Sequence, residues 1–153
     1  MKVVANGIEI EIETHGDKGN PAVLLIMGLA AQLTLWPEAL CKALAARGFY
    51  VVRFDNRDVG LTTKFGEAGV PDLGAVMEKH MAGEDPGVPY TVQDMVGDAF
   101  GVLDVLEIEK AHVVGFSMGG MIAQRMAGEH PERILSLTSV SSSSGDPSLP
   151  PGG

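Results

Sequence analysis

A chain of 153 residues, of which 45% are hydrophobic, has about the length of one domain and is too apolar to remain disordered. Its formal net charge of −9 argues against a nucleic-acid backbone or an anionic membrane surface as the main partner. The single cysteine, Cys41, excludes an intrachain disulfide, and no apolar run reaches the ~18 residues of a membrane span, so we expect a cytoplasmic protein.

The first predicted elements are strands. Residues 3–16, VVANGIEIEIETHG, alternate apolar and polar side chains, and Asn6-Gly7 in their middle is typical of a tight hairpin turn. Residues 21–27, PAVLLIM, form a short continuous apolar run, which indicates a strand buried on both faces. The segment FYVVRFD, residues 49–55, predicts the next strand.

A helix is predicted between these two buried strands. It begins at about Trp36, with Pro37 in its first turn, and Gly48 marks its end. Leu40 and Leu44 lie one turn apart, so we expect both on the buried face.

The middle of the chain combines a long loop and a helix. Residues 56–89 are rich in Gly, Pro and charge, so the segment is either functional or contains a short helix near residues 73–81. Thr91 and Asp94 have the spacing of a capping box at the start of a helix. Apolar residues then recur at helical spacing and are interpreted as core: Val92, Met95, Val96, Ala99, Phe100, Leu103 and Leu106.

The last predicted elements are a strand, a helix and another strand. AHVVGF, residues 111–116, predicts a buried strand, residues 118–129 a helix, and RILSLTSV, residues 133–140, a sixth strand. Two antiparallel strands followed by strand–helix alternation predict an α/β fold, with an open, mostly parallel sheet of about six strands and flanking helices.

The most informative motif lies between the fifth strand and its helix. Gly115-Phe116-Ser117-Met118-Gly119 fits G-x-S-x-G, the nucleophile elbow. Glycines on either side of the serine permit a sharp turn, which exposes the hydroxyl at a helix N-terminus where negative charge is favoured. A plain strand–helix turn would need no such arrangement, so Ser117 is the candidate nucleophile.

A serine nucleophile that attacks a carbonyl needs two backbone donors for the oxyanion. One comes from the residue after the nucleophile and one from the loop after an earlier strand. The Met118 N–H is the first candidate, and the Leu29 N–H, just past Gly28, is the second. Gly28-Leu29 alone would be an ordinary strand exit, and only its pairing with the elbow favours an oxyanion hole.

These stretches resemble the N-terminal half of serine α/β-hydrolases, in the lineage of aclacinomycin methylesterase and proline-iminopeptidase-like esterases. The resembling segments are VLLIMGL at 23–29, VVRFDNRDVGLT at 51–62, the helix from Thr91, and AHVVGFSMGGMIAQRMAGEHPERI at 111–134. Family members usually have His-Gly where this chain has Met27-Gly28, which keeps the backbone donor and changes the pocket wall. The resemblance implies that Asp55, Arg57 and Asp58 brace the oxyanion strand.

The resemblance also implies a triad in the chain order Ser, Asp or Glu, then His. After Ser117 the one histidine is His130, about 20 Å away along its helix at 1.5 Å per residue. His112 enters its strand roughly 16 Å from the serine, and His15 is interpreted as a satisfied surface histidine. His80 would act as base only in a geometry unlike known triads. We therefore expect a nucleophile and an oxyanion hole without their base.

In the resembling family, the chain leaves the sixth strand for a helical cap at the position of residues 140–153. We therefore expect residues 1–153 to be the N-terminal part of a single α/β-hydrolase domain that lacks the cap, the last strands, the acid and the base. The sixth strand would then be an open edge, which favours binding of the missing half or self-association.

The leading hypothesis is a serine hydrolase for small apolar carboxylic esters, with weak or no activity from this chain alone. The alternative is a non-catalytic hydrolase fold that serves as a binding module. A nucleotide site is disfavoured because the glycines near Ser117 match neither G-x-G-x-x-G nor the P-loop, so no cofactor is expected. A single cysteine cannot build a cysteine metal site and the net charge disfavours nucleic acid, so neither a metal nor a nucleic acid is expected.

Overall fold

The computed structural model describes residues 1–69, 72–146 and 148–150. The strands are β1 Lys2–Ala5, β2 Ile8–His15, β3 Ala22–Ile26, β4 Tyr50–Phe54, β5 Ala111–Phe116 and β6 Ile134–Val140. The α-helices are α1 Glu38–Ala46, α2 Leu73–Met81, α3 Val92–Val105 and α4 Met118–Glu129. Short 3-10 turns occupy Leu33–Leu35, Gly66–Ala68 and Pro131–Arg133.

The six strands form one sheet in the order β1-β2-β4-β3-β5-β6. β1 pairs antiparallel with β2, and β2 antiparallel with β4. The pairs β3–β4, β3–β5 and β5–β6 are parallel, as strand–helix alternation requires. The predicted open, mostly parallel α/β sheet is confirmed.

The hairpin between β1 and β2 turns where the sequence predicted. Asn6 and Gly7 both have positive φ, 49° and 78°, as the two central residues of a type I′ turn do. Ala5 and Ile8 are opposite each other in the register, so the loop contains two residues.

The sheet is covered on both faces. All residues of β3 and β4 are buried, which explains the continuous apolar run of β3 and the apolar residues on either side of Arg53 in β4. The larger core, under α3 and α4, contains Phe54, Leu103 and Ile122, and the smaller one, beside α1, contains Trp36 and Cys41. The helical stripe predicted from Val92 to Leu106 lies in or against the larger core.

Two expectations about α1 were wrong. The helix begins at Glu38, with Pro37 as its N-cap, and not at Trp36. Leu40 is 38% exposed and Cys41 is fully buried, so Leu40 does not lie on the buried face. Leu44, the other residue predicted there, packs against the smaller core. The 3-10 turn before α1 causes the difference, because it uses Trp36 as its C-cap and buries that side chain.

The long middle segment contains α2 at the predicted residues. α3 begins at the predicted capping box, in which the Thr91 N–H donates a 2.8 Å hydrogen bond to Asp94 Oδ2. The surroundings of His15, at the end of β2, differ from expectation. His15 is half-buried, and its Nε2 lies in the interior without a hydrogen-bond partner among the described residues, so it is not a satisfied surface histidine.

β6 forms one end of the sheet that the described residues build, with β5 as its neighbour. Its side chains are exposed beyond Ile134, including Leu135, Leu137 and Val140. The predicted open edge is therefore present in this part of the chain. None of the described helices is long and apolar enough to span a bilayer.

Candidate active site

Ser117 occupies a sharp turn between β5 and α4. Its φ of 55° and ψ of −121° lie in a region that residues with a side chain rarely adopt. The backbone N–H of Ser117 donates a 2.9 Å hydrogen bond to the Val140 carbonyl oxygen, which secures the turn against the end of β6. The side chain is exposed at the N-terminus of α4. The predicted strained elbow is therefore present.

The glycines around Ser117 are required by close backbone approach. A Cβ on Gly119 would clash with the carbonyl groups of Ile26 and Met27, at the end of β3. A Cβ on Gly115 would clash with the Gly119 carbonyl. Because backbone atoms cannot move aside as a flexible side chain can, α4 packs against β3 and β5 only with glycine at both positions.

The loop after β3 lies beside the elbow. A Cβ built on Gly28 would be 3.0 Å from Ser117 Cβ and 3.6 Å from Ser117 Oγ. The amides of Leu29 and Met118, on either side of this contact, donate no hydrogen bond to another described residue. Two unpaired N–H groups beside an exposed serine hydroxyl are what an oxyanion hole requires.

Asn56 connects the loop after β4 to the end of β3. Its side-chain amide donates a 2.8 Å hydrogen bond to the carbonyl oxygen of Met27, and both residues are buried. The adjacent Asp55 accepts a 2.7 Å hydrogen bond from the Leu33 N–H and a 3.0 Å bond from the Leu61 N–H. These contacts fix the segments before and after the Leu29 amide.

Asn56 was not predicted from the sequence as a site residue. A buried polar residue directly after a strand was the available signal, because such a residue must find a hydrogen-bond partner. Arg57 binds neither of the neighbouring carboxylates, Asp55 and Asp58. Arg57 forms two 2.7 Å hydrogen bonds with Asp98 of α3 instead, because the buried guanidinium faces that helix.

The Arg57–Asp98 pair is the centre of a larger polar cluster. Asp98 also accepts a 2.9 Å hydrogen bond from Asn6 in the hairpin turn, and the guanidinium lies over the rings of Phe65 and Tyr90. Burial opposes the charged form of Arg57, but the bonds and charge of Asp98 outweigh it and raise the pKa of the guanidinium. The cluster joins β1, the loop after β4 and α3.

Tyr90 adds a second carboxylate to this cluster. Its hydroxyl donates a 2.5 Å hydrogen bond to Asp58, which also accepts a 2.5 Å bond from the Phe65 N–H. Burial, followed by the hydrogen bond and negative charge of Asp58, raises the pKa of Tyr90 to about 12. The phenol therefore remains protonated at neutral pH and acts as a donor.

Ser117 opens into a depression of about 810 Å³, called here the elbow depression. Its walls are apolar on one side and carry hydroxyl groups on the other: Leu29, Val92, Met118, Met121, Ser141, Ser142 and Ser143. No histidine or carboxylate is among these lining residues. The depression contains an exposed hydroxyl and two unpaired amides, but none of its lining residues could accept the proton of Ser117.

The histidines have other surroundings. His112 shares a 2.7 Å hydrogen bond with Ser136 at the start of β5, and His130 contacts Glu132 and the ring of Phe100 beyond α4. The side chain of His80 is outside the described part of the structure. Among residues 1–69, 72–146 and 148–150, no three His, Cys, Asp or Glu side chains are grouped as metal ligands.

Comparisons with known proteins agree with this geometry. The family model described as the alpha/beta hydrolase fold matches residues 21–152. The chain is 35% identical over 126 residues to rhodomycin D methylesterase of Streptomyces sp. strain C5, covering 82% of the chain and 36% of the relative. It is 33% identical over 135 residues to the putative carbamate hydrolase of Caulobacter segnis, covering 88% and 43%.

Among solved structures, the enol-lactonase of Burkholderia xenovorans is similar with a TM-score of 0.67 and 28% identity. The match covers 88% of this chain and 44% of that protein. The chain thus spans roughly two fifths of the length of these relatives.

Proposed function

The chain belongs to the alpha/beta-hydrolase family, and we propose that it provides the nucleophile and the oxyanion hole of a serine hydrolase for carboxylic esters. The observation that carries the proposal is the strained, exposed Ser117 beside two unpaired amides. A structural serine would have no reason to occupy a positive φ with its hydroxyl exposed.

In the proposed reaction, Ser117 Oγ attacks the ester carbonyl carbon while a base takes the hydroxyl proton. The carbonyl oxygen becomes an oxyanion that accepts hydrogen bonds from the Leu29 and Met118 amides. The tetrahedral intermediate collapses to an acyl-serine and an alcohol, which receives the proton from the same base. Water then attacks the acyl-serine by the reverse sequence and releases the acid.

The substrate class follows from the walls and the relatives. The elbow depression is partly apolar, and the names of two relatives, a methylesterase and an enol-lactonase, both refer to enzymes of ester-type bonds. Carbamates and epoxides, named for other relatives, are the competing substrates. The two amides match the charge that develops on a carbonyl oxygen, which disfavours epoxides. The apolar lining and the two relatives named for ester-type bonds favour esters over carbamates.

The base that accepts the Ser117 proton would come from outside the residues that line the elbow depression. No described histidine faces Ser117, and the relatives are more than twice as long as this chain. We propose that another part of a longer polypeptide, or a second copy of this chain, contributes the histidine and its carboxylate. By itself the chain would then have the rate that an oxyanion hole supports, roughly 10³–10⁴ over water.

p-Nitrophenyl acetate hydrolysis tests the proposal, with imidazole added to replace the base. Imidazole should increase the rate of the chain more than that of Ser117→Ala, since the imidazole-catalysed background is equal in both. Ser141→Ala, which removes another hydroxyl of the same depression, is the matched control and should behave as the unmodified chain. Equal rates for all three proteins would favour the alternative, a non-catalytic binding module.

A further inference from the structure

A second, smaller cavity lies on the other side of the oxyanion amides. It has a volume of about 130 Å³ and shares Leu29 and Met118 with the elbow depression. Val59 and Met95 provide its buried apolar wall. Because the sheet order is β4-β3-β5-β6, the cavity lies on the β4 side of Ser117 and the depression on the β6 side.

This arrangement separates the two substituents of a carbonyl group held at Ser117. With the carbonyl oxygen between the two amides, one substituent points toward the cavity and the other toward the elbow depression. The oxygen of the leaving alcohol must receive a proton, so it needs a proton donor on its side. The space that a proton donor can reach therefore takes the leaving alcohol.

The titratable groups of the small cavity are all engaged. Asp58 accepts hydrogen bonds from Tyr90 and from the Phe65 N–H. The Tyr90 hydroxyl donates its hydrogen bond to Asp58, and Arg57 is held by both oxygens of Asp98. None of these groups can exchange a proton with an alcohol, whereas the open elbow depression can be reached by the base that we propose comes from outside it. The leaving side is therefore the elbow depression, and the small cavity faces the acyl side.

We propose that this cavity is an acyl subsite that takes a short apolar chain, up to about five carbons beyond the scissile carbonyl. The limit follows from its volume, because an apolar cavity of about 150 Å³ accommodates benzene. The proposal rests on the proposed function for the position of the carbonyl. The preferred substrates are short-chain acyl esters of larger alcohols.

Alkylboronic acids with one, three, five and seven carbons test the subsite without requiring turnover. Ser117 Oγ adds to boron, an O–B bond forms, and the hydroxyl proton is released to the buffer. The alkyl group then takes the place of the acyl chain. Affinity should rise about fourfold per methylene up to five carbons, and then level off when the cavity is full.

Labelled methionine methyl groups report where the alkyl chain binds. Met95 lines only the small cavity, and Met121 lines only the elbow depression. The NMR signal of Met95 should shift with the longer boronic acids while that of Met121 changes little. Shifts confined to Met121, affinity that continues to rise to seven carbons, or no saturable binding of any member would overturn the proposal.

Two valine variants provide the matched comparison. Val59→Phe fills the small cavity and should abolish the gain with chain length, whereas Val92→Phe, in the wall of the elbow depression, should keep it. Met95→Ala enlarges the cavity without overpacking and should extend the gain to seven carbons, which covers the case that Val59→Phe does not fold. An unchanged chain-length limit in Met95→Ala would contradict the subsite.

Ser117→Ala separates this inference from the proposed function. Loss of the adduct should weaken all boronic acids by a similar factor and leave the dependence on chain length intact. Equal affinity in Ser117→Ala and the unmodified chain would instead refute Ser117 as nucleophile, while the Met95 signal would still report whether the cavity takes the alkyl group.

Discussion

The side-chain amide of Asn56 donates a 2.8 Å hydrogen bond to the carbonyl oxygen of Met27, the residue before the glycine that touches Ser117. Both Asn56 and Met27 are at most 5% exposed, so the bond is not replaced easily by water. It connects the loop after β4 to the strand end that carries the Leu29 amide. The position of the proposed oxyanion hole therefore depends on a side chain that does not line the elbow depression.

Asn56→Ala should destabilise the fold, because it leaves the Met27 carbonyl buried and unpaired. The expected loss in the free energy of unfolding is about 1–3 kcal/mol, measured by urea titration. Asn20→Ala, in the turn before β3, is the control and should change stability by less than about 0.5 kcal/mol. Equal losses in the two variants would show that the Asn56–Met27 bond contributes nothing.

The strain at Ser117 predicts an unusual order of stabilities. A glycine at position 117 would remove the strain of the positive φ, which costs about 1–3 kcal/mol. It would also make the unfolded chain more flexible, which lowers the stability of the fold by ~0.4–1 kcal/mol. Ser117→Gly should therefore be about 1 kcal/mol more stable than Ser117→Ala, in thermal or urea unfolding. Gly119→Ala should be the reverse case and lose stability by about 3 kcal/mol, since its Cβ meets the Ile26 carbonyl. A less stable Ser117→Gly would mean that the elbow is unstrained.

Tyr90 predicts a change in stability at high pH. Its pKa is raised to about 12 in the folded chain, against about 10 for an exposed tyrosine. Between these values the unfolded chain has lost the phenol proton and the folded chain has kept it, so stability falls as pH rises. The contribution is complete below pH ~10 and is lost by pH ~12.

Denaturation of the unmodified chain and of Tyr90→Phe across that pH range measures this contribution. The difference in unfolding free energy between the two proteins should shrink as pH rises. The phenolate absorbance that Tyr90→Phe removes should appear near pH 12. A titration of that absorbance near pH ~10 would contradict the hydrogen bond to Asp58.

The exposed face of β6 predicts self-association of the chain. Leu137 and Leu40 are similarly exposed, 41% and 38%, but Leu137 lies on the edge strand and Leu40 on a helix. Sedimentation velocity should detect dimers or larger species for the unmodified chain and for Leu40→Lys, and fewer for Leu137→Lys. A monodisperse monomer of the unmodified chain at tens of micromolar would refute the prediction.

Local patterns were sufficient to predict most of the fold. The hairpin at Asn6-Gly7, the capping box at Thr91 and the buried runs of β3 and β4 each depend on neighbouring residues, and all are confirmed. Leu40 was assigned to the wrong face of α1 because the preceding 3-10 turn delays the helix start to Glu38. Helix propensity alone does not determine whether residues such as Trp36 join a 3-10 turn or the first turn of the following α-helix.

The candidate site was predictable where it is contiguous in sequence. The elbow around Ser117 is one short motif, but the Asn56–Met27 and Arg57–Asp98 contacts join segments about thirty to forty residues apart. Such pairs depend on the register of the sheet and the placement of α3, which no local pattern specifies. The roles of Ser117, Leu29 and Met118 and the cytoplasmic location stay predictions.

Labelling with a fluorophosphonate tests the central claim, that Ser117 is the nucleophile, most directly. The serine oxygen displaces fluoride from phosphorus, and the adduct is stable enough for peptide mass spectrometry. Trypsin releases residues 111–125 as one peptide, in which Ser117 is the sole serine. The serine-rich residues 134–153 are released as a different peptide. We expect the label on residues 111–125, with imidazole accelerating it, and none on that peptide in Ser117→Ala. A label on residues 134–153, unchanged in Ser117→Ala, would contradict the claim.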